Sequence, residues 1–305
     1  MSEAPSTVPM CYRHPSRETL IKCSRCERPI CTSCMNDASI GHQCPDCVKE
    51  GRRGQRPART AFGGSRAGQL GYATISIVTL NVLVMVASVI VGGPRAIAGG
   101  GGGGFGGLMG SGTSVTDFGE VLGLALYPNG ELHGIANGEW YRLVTGMFLH
   151  YGVLHLLLNM MLVLQLGRYL EAQLGPLRFV ALYLIAGFGG NVAAYLFQAP
   201  NQPSAGASTA TFGLVVAAIV LNRRTGRDSS QLIPLLAINL IFTFTIPGIS
   251  IAGHLGGLVA GAIACAVLVY ANQPNRAVKQ AIGSSAIVIA LVVAAVARTM
   301  SILGG

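Results

Sequence analysis

The chain has 305 residues, of which 51% are hydrophobic and 11% are charged. Because soluble domains carry roughly 25% charged residues, this composition excludes an ordinary soluble globular protein and predicts an integral membrane protein. The formal net charge is +9, but 11 of the 21 lysines and arginines precede residue 71, and most others lie in short connections. Such charge is typical of residues that orient membrane helices and attract anionic lipid, and it argues against nucleic-acid binding.

The first 50 residues form a cysteine-rich head that contains seven of the eight cysteines. Its candidate metal ligands form four pairs with two-residue spacers, Cys11 and His14, Cys23 and Cys26, Cys31 and Cys34, and Cys44 and Cys47. Pairs at this spacing chelate tetrahedral zinc, so eight ligands predict two structural zinc ions, which would stabilise a segment with little core. His42 is a rival ligand, ranked below Cys44 because Cys44 completes a cysteine pair.

The interleaved order of these pairs resembles a B-box-type zinc finger. The resemblance implies a cross-brace, with one site made by Cys11, His14, Cys31 and Cys34 and the other by Cys23, Cys26, Cys44 and Cys47. A head of this kind either binds a cytoplasmic protein partner or serves as a structural cap, and the sequence favours neither.

A basic linker and a membrane body follow the head. Residues 51–70 combine arginines with glycine, proline and serine, which predicts a flexible linker. Residues 71–302 contain seven apolar segments, at about 71–92, 148–167, 177–198, 206–221, 231–246, 249–270 and 281–302. Most approach the ~20 residues that a spanning helix needs, although the fourth and fifth are short. The sequence thus predicts an all-α polytopic membrane protein with a small zinc-bound N-terminal domain.

Charges in the connections predict the orientation of the spans. The connections after the second, fourth and sixth spans carry basic residues, namely Arg168, Arg178, Arg223, Arg224, Arg227, Arg276 and Lys279. The links at 199–205 and 247–248 carry no charge. The positive-inside rule then predicts a cytoplasmic N-terminus, without a secretory signal peptide, and a C-terminus outside. Arginine outnumbers lysine and Ala, Gly and Val abound, which fits a bacterial plasma membrane.

The connection at 93–147 is external in this topology. A glycine run, Gly99–Gly104, predicts a flexible stretch, and residues 115–127 mix apolar and polar side chains as in an interfacial element. Trp140 and Arg142 close the connection, either as an interface anchor or with a specific role in the fold. His150, just beyond them, is predicted to lie at the water interface.

Four polar side chains fall at a similar depth in three spans. Ser208 and His254 each lie near the start of a span that runs inward, and His155 and Asn159 occupy one face of the second span. A lone serine in a span is more often a packing residue, and a lone histidine or asparagine is as often interhelical glue. Their joint position predicts a functional site instead.

The chemistry of these residues favours a serine hydrolase. A serine becomes a nucleophile when a histidine takes its proton, and spans four to six contain no acid, so a Ser208–His254 dyad without cofactor is predicted. Phe212, one turn after Ser208, would pack on the imidazole. His155, Asn159 and the Ser208 N–H would bind an oxyanion. Close approach of the spans would depend on five glycines, Gly206, Gly213, Gly256, Gly257 and Gly261.

Three motifs together resemble the rhomboid family of intramembrane serine proteases. They are residues 148–150 and 155–159 with Gly167 and Glu171, residues 206–213, and residues 254–257 with Gly261. The resemblance implies a six-helix core plus a seventh C-terminal helix, with the fifth span as a lateral gate. It also implies that Ser208 attacks the substrate, that His254 serves as base and then acid, and that single-span membrane proteins are cleaved.

Two positions depart from the family pattern. Thr209 follows Ser208 where the family usually has glycine, and Tyr141 separates Trp140 from Arg142. An alternative therefore stays open, namely a proteolytically inactive rhomboid-like protein that binds and routes membrane clients. A transporter or channel is disfavoured, because the polar residues cluster at one depth and form no path across the membrane.

Overall fold

The computed structural model describes residues 8–54, 58–97 and 112–304. The predicted glycine run Gly99–Gly104 lies outside these residues. The chain divides into two compact units, Met1–Ala58 and Arg59–Gly305. The first contains the cysteine-rich head, and the second contains the apolar segments.

These units differ from the predicted division at residues 50 and 70. A helix of the first unit continues to Gly54, and Phe62 is buried in the core of the second unit. Gly64 lies so close to α-helical backbone that an added Cβ would be 1.9 Å from the carbonyl oxygen of Leu174. The second half of the predicted flexible linker is therefore packed against the membrane body.

The first unit has two short hairpins and one helix. Its elements are β1 (Met10–Cys11), β2 (His14–Glu18), β3 (Asn36–Asp37), β4 (His42–Gln43) and α1 (Pro45–Gly54). β1 pairs with β2 and β3 with β4, both antiparallel. Among the described residues of this unit, the buried hydrophobic ones apart from Ile30 are cysteines. So small an apolar core cannot offset the entropy of folding, which makes additional cross-links necessary.

Long helices dominate the second unit. The described residues contain seven that correspond to the seven predicted spans, α2 (Tyr72–Gly92), α5 (Val153–Leu174), α6 (Pro176–Phe197), α7 (Ser208–Thr225), α8 (Leu232–Thr245), α9 (Ile251–Tyr270) and α10 (Arg276–Leu303). Of the described helices, α2, α5, α6, α9 and α10 are long and apolar enough to cross a membrane. The prediction of an all-α integral membrane protein is confirmed.

The two short spans have different environments. α7 has 18 residues and is largely buried by its neighbours, so it needs little contact with lipid. α8 has 14 residues, which at ~1.5 Å per residue is shorter than the ~30 Å hydrocarbon core, and most of its side chains are exposed. Neighbouring helices therefore enclose α8 less than they enclose α7.

Small residues bring α6, α7 and α9 into backbone contact. An added Cβ at Gly257 would lie 1.9 Å from the carbonyl oxygen of Thr209, and one at Gly261 would lie 2.4 Å from the Cα of Gly213. Close helix contact of this kind requires residues without side chains. It sets the starts of α7 and α9 next to each other.

Glu171 joins the end of α5 to the start of α2. Its carboxylate accepts hydrogen bonds from the Ala73 N–H at 3.0 Å, the Thr74 N–H at 2.8 Å and the Thr74 hydroxyl at 2.7 Å. Glu171 is fully buried, but its charge faces the positive end of the α2 dipole and three donors. The contact fixes the antiparallel pairing of α2 with α5.

The described part of the connection between α2 and α5 contains short helices and a β-hairpin. Its described elements are α3 (Ser114–Gly119), β5 (Ala125–Leu126), β6 (Leu132–His133) and α4 (Arg142–Thr145). Arg142 is 1% exposed. Its guanidinium donates to Glu139 Oε2 at 2.6 Å and to the Asp117 carbonyl at 2.7 Å. Arg142 therefore holds this connection together, and the interface-anchor interpretation of Arg142 is wrong.

Candidate active site and metal centres

Ser208 and His254 form the centre of the candidate active site. Ser208 is the first residue of α7, and His254 lies in the first turn of α9, which the Ser250 side chain caps by accepting from the Gly253 N–H at 2.9 Å. The Ser208 hydroxyl is 2.8 Å from His254 Nε2. His254 is 8% exposed, so little water competes for this hydrogen bond. The structure thus brings together the two residues that the sequence places 46 positions apart.

Two further side chains surround the imidazole. The Phe212 ring stacks on it, with 4.3 Å between centroids and 23° between planes. The Thr243 hydroxyl of α8 is 2.7 Å from His254 Nδ1, the ring nitrogen that does not contact Ser208. Thr243 was not identified from the sequence. The sequence offers only a weak indication of its role, because α8 contains both Thr243 and Thr245, and the rotation of the helix about its axis decides which one faces His254.

His155 and Asn159 line the same space from α5. An added Cβ at Gly206 would lie 2.9 Å from His155 Nε2 and 3.2 Å from the Ser208 hydroxyl, so Gly206 leaves room between these groups. Its φ of 144° also favours glycine. The Tyr151 N–H donates to His155 Nδ1 at 3.3 Å, and Asn159 Nδ2 donates to the His155 carbonyl at 2.9 Å. The imidazole Nε2 of His155 therefore faces the reaction centre.

His150 is not at the water interface, and that prediction is wrong. The residue is 3% exposed, and its Nε2 accepts a hydrogen bond from the Ala207 N–H at 3.4 Å. It packs beside His155, with 5.0 Å between ring centroids. His150 thus supports the turn that precedes Ser208.

A cavity of about 370 Å³ opens beside the dyad between α5, α7, α8 and α9. Its polar lining includes Tyr151, His155, Asn159, Ser208, Asn239, Thr243 and His254. A larger space of about 940 Å³ lies between α6, α9 and α10, but its lining is mainly apolar and includes neither Ser208 nor His254. The smaller cavity is the one with groups capable of chemistry.

Comparison with known proteins identifies the fold. A family model described as "Rhomboid domain" matches residues 137–271, which include Ser208, His254, His155 and Asn159. "Putative rhomboid protease YdcA" of Bacillus subtilis is 39% identical over 133 residues, which cover 42% of this chain and 67% of that protein. The chain belongs to the rhomboid family. The predicted six-helix core with a seventh C-terminal helix is thereby confirmed.

Other rhomboid relatives include both proteases and a protein named as inactive. "Rhomboid protease GluP" of Bacillus subtilis is 39% identical over 139 residues, which cover 44% of this chain and 27% of that protein. "Inactive RHOMBOID-like protein 8" of Arabidopsis thaliana is 33% identical over 130 residues, covering 41% of this chain and 37% of that protein. The match to each spans well under two thirds of the relative, so family membership does not by itself assign an activity.

Thr209, the departure beside the rhomboid serine, packs against α6 and α9. The Thr209 side chain is 6% exposed and lies against Gly190 of α6, where an added Cβ would be 2.6 Å from Thr209 Cβ. Its hydroxyl is 3.5 Å from Asn191 Oδ1, and its methyl lies near Gly253. Glycines on the two neighbouring helices therefore accommodate the extra atoms.

The head of the chain contains two clusters of candidate metal ligands. One consists of Cys11, His14, Cys31 and Cys34, and the other of Cys23, Cys26, Cys44 and Cys47. Within each cluster the ligand atoms lie within 4.8 Å of one another. Cys26 and Cys44 have sulfurs 3.7 Å apart, close to the ~3.8 Å that tetrahedral ligands at a ~2.3 Å Zn–S distance require. His42 lies outside both clusters, with Nδ1 3.2 Å from Asp37.

The electrostatics of the cluster formed by Cys23, Cys26, Cys44 and Cys47 favour a bound cation. Burial alone would raise the pKa of Cys23, but nearby backbone N–H groups, first that of Cys44, lower it to about 6. Burial and the neighbouring thiols raise the pKa of Cys47 to about 12. The Cys23 sulfur therefore ionises easily, and the Cys47 sulfur resists ionisation because of its burial and of repulsion from the neighbouring sulfurs. A divalent ion would remove that repulsion.

Proposed function

We propose that this rhomboid is an intramembrane serine endopeptidase that cleaves single-span membrane proteins through Ser208 and His254. The observation that carries the proposal is the 2.8 Å hydrogen bond between the Ser208 hydroxyl and His254 Nε2. This distance lies within the range in which a base takes a proton from a nucleophile. The similarity to proteins named rhomboid proteases supports the same chemistry.

The reaction would begin with attack of the Ser208 oxygen on the scissile carbonyl carbon while His254 Nε2 takes the hydroxyl proton. His254 would then return that proton to the leaving amine, which departs as the C–N bond breaks. Water would hydrolyse the acyl-enzyme by the same steps, with His254 first as base and then as acid. Phe212, stacked on the imidazole, would hold the ring in plane with the serine.

The oxyanion of the tetrahedral intermediate would be bound by donors already aimed at it. Because His155 Nδ1 accepts from the Tyr151 N–H, the neutral imidazole carries its proton on Nε2, beside Gly206 and Ser208. The Ser208 N–H stands in the first turn of α7, where N–H groups have no intrahelical partner. Asn159 offers the second N–H of its amide. One such donor is typically worth ~10² to 10³ in kcat.

The substrate class follows from the position of the cavity. The dyad lies in the first turns of helices that belong to the membrane body, so a scissile bond must come from within or next to the bilayer. A spanning helix satisfies its own backbone groups, and cleavage therefore requires a segment that unwinds. We propose that such a segment enters past α8, which is short and largely exposed.

The inactive alternative rests on Thr209 and on the relative named as inactive. Its physical basis would be obstruction of the oxyanion site by the side chain of Thr209. Thr209 lines the cavity, but its side chain is 6% exposed and packs against Gly190 of α6 and Gly253 of α9, which opposes such obstruction. The geometry thus favours the protease.

The proposal is tested with purified protein in liposomes and a set of single-span model substrates. Cleavage is expected with the parent and with the exposed-serine control Ser285→Ala, and it is expected to vanish with Ser208→Ala and His254→Ala. A fluorophosphonate probe should label Ser208 in the parent and should label neither Ser208→Ala nor His254→Ala. Absence of cleavage and labelling in the parent, or persistence of cleavage in both variants, would overturn the assignment.

We also propose that the two clusters of the head bind one zinc ion each as structural ions. Three thiolates with a histidine, or four thiolates, form closed tetrahedral sites that suit zinc. Metal bound there would supply the cross-links that the small core lacks. Metal analysis of the purified full-length chain should find two zinc ions per chain. A metal-free but folded head would contradict the proposal.

We further propose that the head is cytoplasmic and that the C-terminus is outside, as in a bacterial plasma membrane. Arg223 and Arg224 end α7, and Arg276 begins α10, so basic residues collect at one side of the membrane body. With a cysteine introduced at an exposed position of the head, Ser16→Cys, a membrane-impermeant thiol reagent should label the head only after the cells are permeabilised. Any protein partner of the head would then be cytoplasmic.

A further inference from the structure

We propose that Thr243 of α8 is a positioning residue that fixes the tautomer of His254 on which the dyad depends. This inference rests on the proposed protease function, because the tautomer matters only if His254 acts as a base. The juxtaposition that carries it is a hydrogen-bonded series from the Asn239 carbonyl through the Thr243 hydroxyl and the His254 ring to the Ser208 hydroxyl.

The direction of each hydrogen bond follows from the number of protons available. A threonine hydroxyl has one proton, and Thr243 donates it to the carbonyl oxygen of Asn239, one turn earlier, at 2.8 Å. The 2.7 Å contact with His254 Nδ1 must then be a bond that Thr243 accepts. His254 Nδ1 therefore carries the proton of the neutral ring.

The consequence for the dyad lies at the other ring nitrogen. A neutral imidazole has one N–H, so Nε2 of His254 is left with a lone pair directed at the Ser208 hydroxyl, 2.8 Å away. Only this tautomer can remove the serine proton. In serine-protease triads, where an acid fills this place, loss of the correct tautomer costs ~10⁴ in kcat. Thr243 would supply the hydrogen-bond acceptor that orients the imidazole, which is the part that the acid plays in a triad.

Burial sets Thr243 apart from the rest of its helix. Of the 14 residues of α8, all within the described part of the chain, Thr243 alone is buried, at 2% exposure. Thr245, two positions on, also donates to the carbonyl one turn earlier, that of Ile241, but is exposed. The geometry of the base thus depends on a helix that is otherwise largely exposed.

The catalytic test compares variants of matched shape. Thr243→Val keeps the volume and removes the acceptor, Thr243→Ser keeps the acceptor, and Thr245→Val removes a hydroxyl from the same helix away from His254. Thr243→Val should lower kcat by about 10- to 100-fold, part of the ~10²–10⁴ that a positioned base provides, with KM within about 2-fold. Thr243→Ser and Thr245→Val should stay within about 3-fold of the parent.

Several kinetic outcomes would overturn the proposal. One is a Thr243→Val enzyme with parental kcat. Another is a Thr243→Ser enzyme as slow as Thr243→Val, which would assign the effect to the methyl group. A third is an equal loss in Thr245→Val, which would assign it to α8 as a whole. If Thr243→Val is poorly folded, Thr243→Ala provides the same loss of acceptor without branching.

The tautomer itself is read from ¹⁵N chemical shifts of His254, assigned by difference against His254→Gln. In the Ser208→Ala background, the ring should carry its proton on Nδ1 when Thr243 is present and become a mixture in Thr243→Val. This readout needs no proteolysis. If the parent cleaves nothing yet the tautomer shifts as expected, the protease assignment fails and the role of Thr243 stands. An unchanged tautomer in Thr243→Val sinks the role of Thr243 alone.

Discussion

The phenyl ring of Phe212 lies flat against the imidazole of His254, with 4.3 Å between the ring centroids. Phe212 is four residues after Ser208 on α7, so one helix supplies both the hydroxyl at the edge of the imidazole and the aromatic surface on its face. This contact and the bond to Thr243 leave the ring little freedom to rotate.

We expect Phe212→Leu to lower the cleavage rate about 2- to 10-fold, because a stacked aromatic pair contributes about 0.5–1.5 kcal/mol beyond its buried area. Phe212→Tyr keeps the stack and should remain near the parent. Phe244→Leu, at an exposed position on α8, is the matched control. Steady-state cleavage of a single-span substrate measures the effect. Equal rates for Phe212→Leu and the parent would exclude a role for the stack.

Much of the fold was predictable from the sequence because each span is a continuous apolar run with a charged or polar end. The predicted segment at 71–92 and the helix Tyr72–Gly92 illustrate this. Thr243 was not predictable, because Thr245 is the same residue type in the same apolar segment. Only the packing of α8 against α9 decides which of the two threonines contacts His254. His150 was misjudged for a related reason, since its burial depends on the turn at Ala207, far along the chain.

Thr209→Gly tests whether the departure from the family pattern reduces activity. Since Thr209 faces Gly190 and Gly253, we expect its removal to leave the cleavage rate within about 3-fold of the parent. Stability should fall by about 1–3 kcal/mol, because a buried side chain is lost and glycine is a poor helix former. Cleavage assays and denaturant unfolding in detergent measure both. A gain in rate above tenfold would show that Thr209 obstructs the site.

Gly257→Ala should lower the cleavage rate about 100-fold by separating α7 from α9. The new Cβ would lie 1.9 Å from the Thr209 carbonyl oxygen, which is backbone and cannot rotate away. A shift of about 1 Å at the dyad typically costs ~10² in rate. Gly283→Ala is the control, because its Cβ would meet only the side chain of Val267, at 2.6 Å. Equal, small effects of the two substitutions would contradict the close-contact argument.

Glu171→Ala should destabilise the membrane body without touching the dyad. It would leave two buried donors on Thr74 and one partly buried donor on Ala73 without their acceptor, at about 1–3 kcal/mol for each buried unsatisfied group before relaxation. Glu171→Gln keeps one acceptor oxygen and should lose less. Glu131→Gln, in an exposed turn, controls for loss of charge. Thermal unfolding followed by circular dichroism gives the ranking, and an unchanged midpoint in Glu171→Ala would refute the prediction.

The two histidines of the head provide a test of ligand assignment. His14 Nδ1 lies 3.4 Å from the sulfur of Cys31 and 3.3 Å from that of Cys34, whereas His42 faces Asp37. We therefore expect His14→Ala to reduce the zinc content of the full-length chain from two ions to one, and His42→Ala to leave it at two. The reverse result would exchange their roles.

Chelation of both ions should expose residues 8–54 to protease while fluorophosphonate labelling of Ser208 continues, because the proposed dyad uses no metal.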